Sequence, residues 1–299
     1  MPVALPVEQI ALAVSRGCLA ERIARSGGGA GIGEAARAFL VAPGNSLDGR
    51  SRWAEFVVLA QLDAGGESFP LPELYAGAEA VMSALNLFDD LEDGDASPFV
   101  NSFGPSVAIN VAGWLLVLGM DLVAEADRRI TLFGERASDL ESVLRRGLLQ
   151  SGAGQHVDLA SGASSIDEAL SVVAMKSGSL VAMLCEMGAV AGGASPESVE
   201  LMRSIGHHLG MASQLANDVR DFGSIAKGTL NRGASAMESA MGSPGPFVPE
   251  VGQIVVTLLA RAHALEAVKT ADGVGATRLR SIGAGWLCAS EAYRKSSAA

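Results

Sequence analysis

The sequence carries almost no strand signal and many long stretches in which apolar residues recur at three- and four-residue spacing. Those stretches are rich in Ala, Leu, Met and Glu, which lose little freedom in a helix. The pattern predicts helices over residues 6–25, 51–64, 71–93, 105–126, 134–150, 166–192, 196–222, 250–270 and 274–295. Gly and Pro clusters separate them at 27–33, 43–49, 65–72, 94–105, 192–196 and 242–249. Several run to roughly 20 residues or more, against a globular average of about 11–12. No repeat of about 20–50 residues is visible, which argues against a solenoid. The expectation is an all-α chain, one domain over residues 1–299, built as a large helical bundle around a central apolar cavity. Within it, the Gly-, Ser- and Pro-rich segment of about 223–249 reads as a mobile loop.

Composition narrows the function classes. With 49% apolar and 18% charged residues, a chain of 299 residues has enough for a sizeable core and is not dominated by disorder. A formal charge of -11 argues against a basic nucleic-acid-binding face, so no nucleic-acid partner is expected. Cys18, Cys185 and Cys288 lie far apart with no CxxC spacing, so neither a zinc site nor a disulfide framework is expected. Read as buried thiols, they fit a reducing cytoplasm. Glu8 interrupts the N-terminal apolar stretch, so no secretory signal is read there. The uncharged run from Ala96 to Met120 raises a membrane question, but its first half holds Ser97, Pro98, Asn101, Ser102, Gly104 and Pro105. It reads as a helix starting near Pro105 and buried on all sides, with no stable membrane insertion.

Two carboxylate clusters carry the chemistry. In "LFDDLEDGD", Asp89 and Asp93 are four apart on a helix and project from one face, with Asp90 beside them. Like charges at that spacing repel, and at a helix C-terminus they also meet the negative end of the dipole. Without nearby Lys or Arg, the arrangement calls for a hard cation such as Mg2+, which takes carboxylate oxygens. The alternative is a solvated acidic helix end. In "QLANDVRDF", Asn217 and Asp221 share a face, with Asp218 next to them and Arg220 as a possible structural counter-charge. Two clusters that each close a long helix would together hold several metal ions across a cavity mouth, and a diphosphate is the natural guest. Lys176, in the apolar run from Leu170 to Leu184, either snorkels to the surface or finds an anion. Gln155 and Asp158, in "GQHVDLA", form a further polar pair near a Gly-rich bend.

In order and spacing, "LFDDLEDGD", "GQHVDLA", "AMKSGSL" and "QLANDVRDF" resemble the trans-isoprenyl diphosphate synthase (polyprenyl synthetase) superfamily over roughly residues 50–230. The resemblance implies a class I isoprenoid synthase fold, three Mg2+ ions, an allylic prenyl diphosphate substrate and a homodimer. It places Asp89, Asp90 and Asp93, with Asn217, Asp218 and Asp221, as catalytic metal ligands. Lys176 and Gln214 fall where family members contact the diphosphate or its metals, Gln155 joins them, and Lys227 resembles the basic residue after the second motif. Ala84, Leu85 and Phe88 fall one turn back from, or next to, the first motif, where small residues leave room for a C15, C20 or longer chain.

The departures from the family pattern matter as much. Elongating members hold a second substrate, isopentenyl diphosphate, with basic residues flanking the first motif and a His just upstream. Here only Arg50 and Arg52 remain, "GDASPFVNSFGPS" has no basic residue, Met82 stands for the His, and Gly113-Trp114 replaces a Gly-Asp pair. A second diphosphate needs several charge-assisted hydrogen bonds. Their loss points to ionisation of one allylic diphosphate, and the first expectation is a terpene cyclase. Candidate aromatics for its pocket are Phe88, Phe103, Trp114, Phe222 and Trp286, with His207 and His208 as possible bases, one expected packed and the other solvated. The alternatives are a prenyltransferase acting on a peptide or small molecule, a chain-elongating synthase, or a non-enzymatic regulatory subunit of a prenyl synthase.

Overall fold

The computed structural model describes residues 6–26, 31–42, 53–65, 70–94, 97–133, 139–160, 163–226, 236–242 and 248–297. Among them every regular element is helical, as expected. The helices are α1 (Val7–Ser26), α2 (Ile32–Leu40), α3 (Trp53–Asp63), α4 (Pro72–Glu92), α5 (Pro98–Phe103), α6 (Pro105–Phe133) and α7 (Leu140–Ala160). They continue as α8 (Ile166–Val173), a π-helical turn (Ala174–Gly178), α9 (Ser179–Ala191), α10 (Pro196–Ala226), α11 (Ala236–Gly242), α12 (Pro249–Val274) and α13 (Thr277–Ser297). The chain divides into two compact units, the first Met1–Ser142 with Val190–Gly193, the second Val143–Ala189 with Ala194–Ala299.

In the first unit α4 is the central helix, packed on α1, α3 and α6. α4 and α6 cross so closely that a Cβ on Gly77 would lie 2.9 Å from the Gly119 carbonyl, and one on Gly119 would lie 2.6 Å from a Val81 methyl. Leu19, Leu40, Ala84, Leu87, Leu115 and Leu122 are fully or almost fully buried in this core. Each such Leu contributes about 2 kcal/mol over its exposed state. Glu79 is buried and accepts the Trp53 and Ala54 N–H groups at 3.1 and 2.7 Å, so α4 caps the start of α3. Asp127 does the same for α7, accepting the Leu140 N–H at 3.2 Å.

In the second unit α10 packs on the π turn and α12, and α12 on α13. Gly210 makes the first contact possible, since a Cβ there would stand 2.5 Å from the Ser177 carbonyl, and Gly206 lets α10 approach the Val181 carbonyl of α9 equally closely. Val173, Leu215, Phe222, Met237 and Val256 are buried together below it.

The structure corrects several expectations. The helix read at 134–150 is α7, starting at Leu140 and running to Ala160, so Gln155 and Asp158 lie inside a helix rather than at a bend. Two of its glycines are points of close approach, since a Cβ on Gly147 or Gly154 would collide with Met183 or the Lys176 backbone. α2, α5 and α11 are short helices that neighbouring Gly, Pro and Ser residues hide in the sequence. The segment read as a loop at 223–249 therefore contains the end of α10 and all of α11, and its remaining residues up to 247 lie outside the described ones. α6 is buried toward α4 but exposes Ile109, Val117 and Leu132, so it is not buried on all sides. Cys185 is buried, Cys18 is partly so, and Cys288 is exposed. Three stretches, Pro105–Leu132, Ile166–Ala191 and Pro249–Val274, are long and apolar enough by length and composition to cross a membrane.

Candidate functional site

The first acid cluster ends α4. Asp89 and Asp90 lie in its last turn, and Asp93 follows as the C-cap, its N–H donating to the Asp89 carbonyl at 2.9 Å. Gly94 then turns the chain with a φ of 71°, in the left-handed region where glycine carries no Cβ penalty. All three carboxylates are half-buried. No Lys or Arg occurs between Arg52 and Arg128 in the sequence. Behind the cluster, Phe88 packs half-buried on the first unit's core, Leu85 is half-buried, and Ala84 and Met82 are almost wholly buried.

The second cluster ends α10, in the second unit. Asp218 is buried at 3% exposure, and Asn217 and Asp221 flank it half-buried. Arg220 donates to Asn217 Oδ1, a bond to a neutral amide. Gln214 Nε2 donates to Asp218 Oδ1 at 3.3 Å, and Ser177 Oγ donates to Gln214 Oε1 at 2.9 Å. The π turn places that serine, and such turns frequently occur at functional positions. It also carries Lys176, whose Nζ donates to Asp158 Oδ2 at 3.1 Å, each side chain about 15% exposed. Lys176 has thus found its anion inside the protein. Ser151 Oγ donates to the Lys176 carbonyl at 2.7 Å and fixes the turn to α7.

Oδ1 of Asp89, Oε1 of Gln155 and Oδ2 of Asp218 are buried and accept no hydrogen bond, though each side chain has another interaction. Among the described residues no three His, Cys, Asp or Glu side chains are placed to enclose a metal ion. Mg2+ does not require that: it keeps several waters and takes one or two carboxylates beside phosphate oxygens. Hard oxygen donors four apart on a helix fit that habit, so both clusters suit the ion.

Other expected residues are placed differently. Lys227, Arg50 and Arg52 lie outside the described residues. Phe103 is 43% exposed and stacks on Phe99, Trp114 is half-buried on the first unit's core, and Phe222 is fully buried. His207 and His208 are both half-buried, not one packed and one solvated. His207 lies against Gly178, and His208 Nδ1 stands 2.9 Å from His263 Nδ1. Burial and neighbouring cations hold His207 below its usual pKa, and burial does the same for His208. The sequence reading missed Ser177, Ser151 and the second role of Asp158, whose Oδ1 accepts the Ala236 N–H that starts α11, at 2.8 Å. Only the density of small polar residues in "MKSGS" hinted at the first.

Comparison with known proteins gives a consistent picture. The polyprenyl synthetase family model matches residues 66–234. A tryptophan prenyltransferase, ComQ of Bacillus subtilis subsp. natto, is 33% identical over 146 residues, 48% of this chain and 43% of that protein. The chain spans about half the length of the curated relatives of this kind that it matches. The geranylgeranyl pyrophosphate synthetase of Geoglobus acetivorans superposes with a TM-score of 0.75 over 94% of this chain and 97% of that one, at 17% identity. A polyprenyl synthase of Caulobacter crescentus, complexed with calcium and isoprenyl diphosphate, gives 0.66 over 90% and 97%, at 18% identity. At such identities the likeness shows a shared fold.

Proposed function

Since the chain belongs to the polyprenyl synthetase family and has the all-α class I isoprenoid synthase fold, we propose that it is a Mg2+-dependent prenyltransferase. In this reading it ionises an allylic prenyl diphosphate of C15–C20 or longer and delivers the prenyl group to an acceptor other than isopentenyl diphosphate. The observation that carries it is the pair of acid-tipped helices, α4 and α10, in a chain with no Lys or Arg between Arg52 and Arg128. Ligands for metal and one diphosphate are kept, and the cations that would hold a second diphosphate are missing.

Asp89, Asp90 and Asp93, with Asn217, Asp218 and Asp221, would hold Mg2+, three ions by family resemblance. Bound there, the metal neutralises charge developing on the departing diphosphate. The chain's own groups do the rest. Lys176, paired with Asp158 and about 15% exposed, would lend its charge to a diphosphate oxygen. Gln214 orients Asp218, Ser177 orients Gln214, and Gln155 offers a further polar contact. The C–O bond to the diphosphate breaks, and Ala84, Leu85 and Phe88, the apolar residues beside the first motif, would shield the allylic cation from water. The relatives named for tryptophan prenylation support an indole as acceptor: its ring carbon bonds the cation and then loses a proton.

Terpene cyclisation remains a second reading, favoured by the same lack of Lys and Arg between Arg52 and Arg128. We further assign the protein to the cytoplasm as a homodimer, the exposed Ile109 and Val117 on α6 offering an apolar face to a second copy.

The test is product analysis with Mg2+ and farnesyl or geranylgeranyl diphosphate, alone, with a Trp-containing peptide, and with isopentenyl diphosphate. Prenylated peptide is the expected product. A hydrocarbon from the single substrate would establish cyclisation instead, and turnover only with isopentenyl diphosphate would establish elongation.

A further inference from the structure

We propose that a cavity in the second unit, on the flank of α10 away from Asp218, binds an amphiphilic anion: one apolar chain carrying a phosphate or carboxylate head. The cavity measures about 660 Å3, within the range of about 300–1,000 Å3 that holds single small ligands. Ala216 and Val219 of α10, Ala260 and Ala264 of α12, and Ile282 and Trp286 of α13 make its walls apolar. Ala216 and Arg220 are two residues either side of Asp218, and at 100° per residue both lie about 160° around α10 from it.

Arg220 and Arg261 belong to the same lining, in a chain whose formal charge is -11. Two guanidinium groups beside an apolar hollow match an anionic head on an apolar tail, because guanidinium forks hold phosphate and carboxylate oxygens bidentately. Trp286 presents a broad flat wall, and at Gly285 a Cβ would meet nothing within 4 Å, so the hollow is open there. Arg220 also donates to Asn217 Oδ1. Occupancy of the cavity and the geometry of the second acid cluster therefore share a side chain.

The test uses the full chain and the emission of Trp286, titrated with dodecyl phosphate and with laurate below micelle-forming concentrations, and with dodecanol as the uncharged control. A saturable signal is expected with one or both anions, missing from the Trp286→Phe variant but retained in Asp218→Asn. Arg261→Gln weakens binding about tenfold, the loss of one charge-assisted hydrogen bond. Gly285→Leu fills the hollow and removes binding, with helical content by circular dichroism unchanged. Dodecanol binding as tightly as dodecyl phosphate, or binding lost in Asp218→Asn, overturns the proposal. So does a Gly285→Leu chain that changes its sedimentation while the parent chain binds no dodecyl phosphate, which would make the hollow a protein interface.

Discussion

Lys176 Nζ lies 3.1 Å from Asp158 Oδ2, and the other oxygen of that carboxylate holds the first N–H of α11. One side chain thus neutralises the π turn's cation and pins a short helix that the sequence pattern gives no reason to expect. The two halves of this arrangement separate by mutation. Lys176→Met removes the cation but leaves Asp158 its bond to Ala236, so folding is retained while kcat/KM for diphosphate release falls by about a hundredfold. Asp158→Ala breaks both contacts and leaves a half-buried ammonium, with a loss of about 1–3 kcal/mol in stability. Urea unfolding followed by circular dichroism, alongside a diphosphate-release assay, reads both. Equal stability losses in the two variants would show that the ion pair, not the α11 contact, dominates.

The acid clusters predict a second contrast. Asp89→Ala and Asp218→Ala each lower diphosphate release by about a hundredfold or more, with helical content unchanged. Chelation of divalent ions by EDTA has the same effect on the parent chain and is reversed by excess Mg2+. If either variant turned over at the parent rate, its cluster would have no part in metal binding.

How much of this was legible beforehand follows from which physics each feature rests on. The acid clusters could be read because i, i+4 spacing and the helix dipole are local properties of "DDLED" and "NDVRD". The all-helical class followed from periodicity in the same way. The Lys176–Asp158 pair could not, since it depends on α7 running past Gly154 to Ala160, and a glycine at close approach looks in sequence like a breaker. α11 was hidden for the same reason: seven residues among Gly, Ser and Pro carry too short a period to detect. The exposed apolar face of α6 was misjudged because composition shows that a helix is apolar without showing how many of its sides are covered.

Glycine at the α10 contact supplies a third prediction. A Cβ at position 210 would stand 2.5 Å from the Ser177 carbonyl and 3.0 Å from the Gly178 Cα, both backbone atoms that have no room to swing aside. Gly210→Ala therefore forces α10 away from the π turn at a cost of about 1–3 kcal/mol. The displacement also lengthens the Ser177–Gln214 bond, so the variant loses activity at temperatures where it is still folded. Gly113→Ala, whose Cβ meets nothing within 4 Å, is the control and leaves both properties intact.

Finally, the His208–His263 contact makes stability depend on pH. At a separation of 2.9 Å one ring nitrogen must donate and the other accept, so the bond requires at least one neutral ring. Burial first, then the neighbouring His208 and His207, lower the His263 pKa to about 4, with Glu266 opposing. Arg203, on α10, adds to the repulsion at His207. In the unfolded chain a histidine titrates near about 6.5. Between these values the unfolded state binds more protons, so stability rises with pH: it is fully present above about 6.5 and drains away as pH falls toward 4. The urea midpoint of the parent chain should therefore drop between pH 7 and pH 5. His263→Gln removes one titrating ring and its repulsion, and should flatten that slope while changing the pH 7 midpoint much less. Parallel slopes for the two chains would mean that the acid sensitivity comes from the carboxylates rather than from this pair.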